Sequence, residues 1–235
     1  MVKGEKSMHT LAVDIGGSGV KVMVLDEAGK PLTERSRVET PQPALPEPVI
    51  GAIASLAAGT GEFDRVSVGF PGVVTNGVIK TAVNLTPEWV DFDLATALSE
   101  KLGKPVRVIN DADMQGLGAI SGKGVELTIT LGTGFGSGLF VDGKLVPNLE
   151  AGHHPFRKGE TYEEQLGRAA LDKIGQKRWN SRLGKAIAQL QKLFNCEYLY
   201  IGGGNTKKVT IDLPPNVKIV PNVSGLLGGI ALWRD

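Results

Sequence analysis

The feature that most constrains the fold is a pattern used twice. LAVDIGGSGVKVMVL at positions 11–25 and LTITLGTGFGSGL at positions 127–139 each run an apolar strand into a small-residue turn, and an apolar pattern resumes at once. Each reads as a β-hairpin whose tip exposes backbone amides. Gly16, Gly17 and Gly19 in the first copy, and Gly132, Gly134, Gly136 and Gly138 in the second, permit positive φ and leave room beside the chain. Successive N–H groups can then converge on an anion. Ser18 and Thr133 add a hydroxyl each. Two such tips predict two lobes that clasp a single phosphorylated ligand.

A chain of 235 residues can bury roughly 70% of its extended surface, enough for one large domain or two lobes. The repeated hairpin favours two lobes. The expected division is an N-terminal α/β lobe over 1–113 and a C-terminal α/β lobe over 114–235, whose last helix, 224–234, is a candidate to pack back on the first lobe. With 26 basic and 25 acidic side chains the formal charge is +1, which draws the protein to neither a nucleic acid nor a membrane surface. No apolar stretch reaches the ~18 residues of a membrane span, and MVKGEKSMHT is not followed by a signal-peptide core. The expectation is a soluble, cytoplasmic protein. Cys196 is the only cysteine, so an intrachain disulfide and a cysteine-built zinc site are excluded.

Along the chain, strands are expected at 11–14 and 21–26, a helix at 47–58 opened by Pro46, and a strand at 65–69. TNG around Asn76 and Gly77 fits a hairpin turn. Asp93 is placed to cap a helix running to residue 102, followed by a buried strand at 105–109 and a small-residue helix at 112–120. Strands at 125–131 and 138–141 frame the second tip. Residues 148–160 carry no period and read as a loop. Helical spacing appears at 161–174 and 183–194, with the weakly structured GQKRWNSR between them. Strands at 198–201 and 218–220 and a closing helix at 224–232 complete the second lobe.

Asp14 ends the first strand beside Gly16 and Gly17, where a carboxylate can hold hydrated magnesium near phosphate oxygens or bond the amides of its own turn. Asn110 and Asp111 stand where a buried strand meets a helix, the edge at which α/β lobes bind ligands. Asp111 is either a helix cap or a general base; Asp113, further into the helix, is expected to cap or to face solvent. Glu150 and His153 offer an acceptor and a donor to a polyhydroxylic substrate, with His154 structural before Pro155.

DIGGS at 14–18, INDAD at 109–113, LGTGFGSGL at 131–139, ExGH at 150–153 and GGGNTKK at 202–208 resemble the sugar kinases of the ROK family, and within it the polyphosphate glucokinase group. The resemblance implies an actin-like, ribonuclease H-like ATPase fold of class α/β, with two similar lobes around a cleft that takes a hexose. It further implies phosphoryl transfer from polyphosphate or ATP to the 6-hydroxyl of glucose, with Mg2+ as cofactor, and a homodimer. By matching motif, Asp111 is the catalytic base. Asn84, Asn110, Asp111, Glu150, His153 and either Glu163 or Glu164 are sugar ligands. Asp14, Gly16, Gly17, Ser18, Gly19, Lys21, Gly132, Thr133, Gly134 and Gly136 bind phosphate, with Asp14 also serving the metal. Gly202, Gly203, Gly204, Asn205, Lys207 and Lys208 serve the nucleotide or polyphosphate. The zinc knot typical of ROK proteins is not expected, since its cysteines are missing here as in the polyphosphate group. The rival readings are an ATP-dependent kinase of mannose or an N-acetylhexosamine, a non-catalytic sugar-binding protein, and an actin-like assembly protein.

Overall fold

The computed structural model describes residues 7–82, 85–221 and 224–234. The chain divides into two compact units, Met1–Met114 with Gly225–Asp235, and Gln115–Ser224.

In the first unit β1 (Thr10–Gly16), β2 (Gly19–Leu25) and β3 (Ser36–Val38) form an antiparallel meander. After α1 (Pro46–Ala58), β4 (Arg65–Phe70) joins parallel to β1. A small hairpin of β5 (Val74–Thr75) and β6 (Val78–Ile79) and then α2 (Leu94–Leu102) precede β7 (Val106–Asn110), which lies parallel to β4. The five-stranded order is β3-β2-β1-β4-β7. α3 (Asp111–Leu117) follows β7 without an intervening residue.

Local chemistry sets these boundaries. Pro46 opens α1 in the first turn, and Val49, Ile50, Ile53 and Ala57 form its buried stripe. The Asp93 side chain caps α2 by accepting the Thr96 N–H at 3.0 Å, and Gly103 ends the helix in the left-handed conformation (φ 63°). That backbone bond, and a second one from the Thr96 hydroxyl, hold the Asp93 carboxyl below its usual value.

Alternation along β1 sorts side chains to two faces. Leu11, Val13 and Ile15 join Val20, Val22 and Val24 of β2, Val49 and Ile53 of α1, and Trp89 in one core. Ala12, Met23 and Leu25 point the other way and are covered by Leu226 and Ile230 from the C-terminal segment. Ser67 fixes that segment: its hydroxyl donates to the Gly229 carbonyl at 2.7 Å and accepts from Trp233 Nε1 at 2.8 Å. The segment is a short helix, Ser224–Leu227, followed by a 3₁₀ stretch, Gly228–Trp233, instead of one continuous helix.

The second unit repeats the plan. β8 (Val125–Leu131), β9 (Phe135–Val141) and β10 (Lys144–Val146) form the meander. A two-stranded hairpin of β11 (Pro155–Arg157) and β12 (Glu160–Thr161) leads to α4 (Tyr162–Leu166), α5 (Arg168–Ile174) and α6 (Gln176–Phe194). β13 (Tyr198–Gly202) and β14 (Val217–Ile219) then add in parallel, giving the order β10-β9-β8-β13-β14. Third, second, first, fourth, fifth is the order in both sheets.

Three departures from the sequence reading have physical causes. The helix expected at 161–174 is broken at Gly167, where a Cβ would lie 2.9 Å from the carbonyl oxygens of both Glu163 and Thr133. α6 begins at Gln176, because the polar-looking QKRWNSR buries Trp179 and Asn180; Trp179 Nε1 donates to the Leu166 carbonyl at 2.8 Å. The supposed loop 148–160 contains the β11–β12 hairpin, seated by Phe156 stacking on Tyr162 at 4.6 Å between ring centroids.

Glu126 is fully buried at the start of β8, opposite the end that carries the glycine tip. Burial alone would raise its pKa. Hydrogen bonds from Ser121 N and Oγ, Gly122 N, Lys123 N and the Tyr200 hydroxyl more than compensate and hold it below the usual value. The same contact, with burial, pushes the Tyr200 phenol up to about 12. A lowered carboxyl contributes stability above its unfolded pKa and loses it as pH falls through the folded value. Glu126→Gln is therefore expected to cost ~1–3 kcal/mol at neutral pH and to flatten the acid limb of the stability profile. Urea melts of both proteins between pH 3 and pH 7, on the order of one point per unit, check this; parallel profiles would contradict it.

Candidate functional site

The first unit gathers its candidate residues at the ends of its central strands. β1 and β2 pair residue for residue from Thr10↔Leu25 to Gly16↔Gly19, so Asp14 faces Lys21. Lys21 Nζ donates to Asp14 Oδ2 at 2.7 Å. On the other side Asp14 is in register with Gly69 of β4, where a Cβ would meet the Asp111 Cα at 3.2 Å. The missing side chain at Gly69 thus lets the start of α3 settle over β4, one strand from Asp14. The tip is tied down through its carbonyls, with Thr40 Oγ1 donating to Gly16 O and an Arg37 guanidinium N–H donating to Ser18 O at 2.9 Å.

At the start of α3 it is Asn110, not Asp111, that caps most fully. Its Oδ1 accepts the N–H of Ala112 at 2.8 Å and of Asp113 at 3.2 Å, and its Nδ2 donates to Gly72 O. Asp111 Oδ1 also accepts the Ala112 N–H at 2.8 Å, which orients the carboxylate. Asp113, expected to cap or to face solvent, is instead buried, with 1% of its surface exposed. Asn84 lies outside the described residues.

The second unit brings three of the five sequence motifs together, with Glu163 beside them. Its tip is shorter than the sequence suggested: β9 starts at Phe135, so Gly136 and Gly138 are strand residues, and the Gly136 N–H donates to Thr130 Oγ1. None of the glycines of either tip adopts a left-handed conformation; positive φ is not what they supply. They supply room. A Cβ on Gly134 would stand 2.2 Å from Glu163 Oε2, which accepts the Phe135 N–H at 3.0 Å. Glu163 therefore lies against the second tip. Glu164 serves elsewhere, as the capping-box partner of Thr161.

Glu150 and His153 flank a 3₁₀ turn docked on β9, with Glu150 Oε2 and His153 Nε2 at 3.5 Å. The Ala151 N–H donates to Ser137 Oγ, and Gly152 sits so near Phe135 O that a Cβ would be 2.2 Å away. Burial pushes the Glu150 carboxyl up; nearby His153 opposes the shift and Glu163 adds to it. His154 is exposed.

The GGGN turn is bound to the same tip. Asn205, buried, donates through Nδ2 to Gly132 O at 2.8 Å and through its own N–H to Leu131 O at 2.8 Å. Its amide is a tie between two loops, a role the sequence did not disclose. Lys207 and Lys208 are exposed on the following 3₁₀ turn, and the Lys208 carbonyl is held by Gln176 and Asn180. Among the described residues no three His, Cys, Asp or Glu side chains form a metal-binding group. Asp14 offers one carboxylate, a donor set that suits magnesium, which keeps most of its water and shares the phosphates of its ligand.

Gly203 and Gly204 separate space from sequence. Gly203 has φ +93° and a Cβ there would lie 2.4 Å from Leu131 O, whereas nothing lies within 4 Å of a Cβ on Gly204. Gly203→Ala is expected to cost ~3 kcal/mol or more and Gly204→Ala less than ~1 kcal/mol. Denaturant midpoints measure both, and equal losses would contradict the geometry.

Residues 10–161 match the ROK family. A polyphosphate glucokinase of Mycobacterium tuberculosis (strain CDC 1551 / Oshkosh) is 31% identical over 237 residues, covering 94% of this chain and 89% of its own. The crystal structure of an inorganic polyphosphate/ATP-glucomannokinase from Arthrobacter sp. strain KM is similar with a TM-score of 0.86 and 36% identity, over 98% of this chain and 100% of that one. A ROK family glucokinase from Streptomyces griseus, solved with glucose and AMPPNP, shares the fold at 21% identity and a TM-score of 0.79, over 95% of this chain and 98% of that one. With its doubled β-meander sheets, glycine tips and ExGH turn, the chain belongs to the ROK family and has the two-lobed α/β architecture of its kinases.

Proposed function

We propose that the protein is a phosphotransferase that moves a phosphoryl group from polyphosphate or ATP to the 6-hydroxyl of glucose, giving glucose 6-phosphate. The observation that carries this reading is the placement of Asp111 over Gly69, in register with Asp14 on the neighbouring strand. A base and a phosphate-side carboxylate then stand at one level of one sheet. The M. tuberculosis relative, named a polyphosphate glucokinase, and the Arthrobacter one, named an inorganic polyphosphate/ATP-glucomannokinase, support the same reaction over nearly the full length.

Phosphoryl transfer asks little covalent chemistry of a protein; most of the barrier is lowered by positioning and charge neutralisation. Asp111, oriented by the Ala112 N–H, accepts the proton of the 6-hydroxyl as that oxygen attacks phosphorus. Glu150, His153 and Glu163 hold the sugar hydroxyls. The amides of Gly16–Ser18 and Gly132–Gly134 receive the phosphate oxygens. Asp14 would hold a magnesium ion brought in with the donor, which would supply positive charge near the phosphates. Mannose is a second acceptor on this reading, supported by the glucomannokinase at 36% identity. A sugar-binding protein without catalysis has no use for Asp14 and Asp111 at one level of one sheet.

Asp111→Asn is expected to lower turnover by ~10² or more, about 3 kcal/mol of barrier, with little change in glucose affinity. Direct detection of glucose 6-phosphate, with calorimetry for the sugar, measures the two separately. Near-normal turnover in a folded variant would remove Asp111 from the role of base.

A further inference from the structure

One face of the first sheet changes character in three steps. Along the β1–β2 ladder the pairs on this face run Thr10↔Leu25, Ala12↔Met23, Asp14↔Lys21 and Gly16↔Gly19. The C-terminal segment covers the apolar pairs through Leu226 and Ile230. Past that cover the face becomes charged, and then glycine. On the next strand outward, Lys21 is in register with Arg37 of β3. Directly paired residues share a face, so Asp14, Lys21 and Arg37 form a row across three strands, at about 4.8 Å per strand.

Arg37 is not needed for the proposed reaction, and its surroundings are shaped for it. Its guanidinium lies against Gly19: a Cβ there would stand 2.6 Å from Arg37 Nε and 2.8 Å from a terminal nitrogen. It donates to Ser18 O at 2.9 Å, the one hydrogen bond it makes among the described residues. A guanidinium has five N–H donors, so most of its hydrogen-bonding capacity is left for another acceptor. No carboxylate among the described residues forms an ion pair with it, whereas Lys21 is paired with Asp14. The result is an exposed, planar cation fixed at the phosphate tip on the outer side of the row.

We propose that Lys21 and Arg37 form a cross-strand cationic track along polyphosphate, with Arg37 binding phosphates beyond the three that ATP also carries. This rests on the phosphotransferase reading and extends it to donor choice. Polyphosphate carries anionic oxygens along its whole length, and Arg binds them in a fork geometry that a solvated lysine lacks. ATP offers no further phosphate past its third. Arg37 therefore favours the longer donor, and the exposed Lys207 and Lys208 are not required for it.

The test compares the wild-type protein with Arg37→Met and Arg37→Lys, using chain-length-defined polyphosphate and ATP. Arg37→Met is expected to raise KM for polyphosphate at least ~10-fold more than KM for ATP, and Arg37→Lys to recover much of the difference while losing the fork. Equal losses with both donors would mean that Arg37 only braces the tip through Ser18, and would overturn the track. Direct titration with polyphosphate separates the track from the kinase reading. Weaker binding by Arg37→Met supports the track even where no transfer occurs, and equal binding by wild type and variant overturns it whatever the turnover.

Discussion

The site of the first unit depends on one constraint, the unbroken register of the β1–β2 hairpin. Seven pairs in succession, ending at Gly16↔Gly19, leave no slack before the tip. A slip of either strand by one residue would turn its charged side chain, Asp14 or Lys21, into the core occupied by Val13, Ile15, Val20 and Val22, and would bring that strand's apolar side chains out. Burying one charge away from its partner is strongly destabilising. The same apolar alternation that builds the core therefore aims the carboxylate, and the tip inherits its position from the strands.

The second unit reaches the same end by tying loops to one tip. Thr133 O accepts the Arg168 N–H at the helix break, Gly132 O accepts Asn205, and Glu163 accepts the Phe135 N–H. Each bond satisfies a polar group that close packing would otherwise strand, and each fixes one motif relative to another. The glycines make this possible by leaving space: Gly134 for Glu163, Gly152 for Phe135 O, Gly167 for Thr133 O. Substituting any of them closes a gap through which two loops meet.

Much of this was legible in the sequence because it is local. Strand alternation around both tips, the Asp93 cap and the Pro46 start depend on neighbours a few residues away. What escaped depends on distant partners. Gly167 breaks a helix because the Thr133 carbonyl docks there, and the polar stretch before Leu183 is helical because Trp179 finds the Leu166 carbonyl. Glu163 and Glu164 are alike by pattern; only the capping box on one side and Phe135 on the other tell them apart. Arg37 gave no signal at all, since its meaning lies in a cross-strand register and in the space left by Gly19.

The most direct test of the account is a donor-by-acceptor assay on the purified wild-type protein. Magnesium, ATP or chain-length-defined polyphosphate, and glucose or mannose are combined, and sugar 6-phosphate is detected directly. The account predicts glucose 6-phosphate from polyphosphate, with ATP as a second donor. Protein shown to be folded and to bind glucose, yet transferring from neither donor, would contradict it.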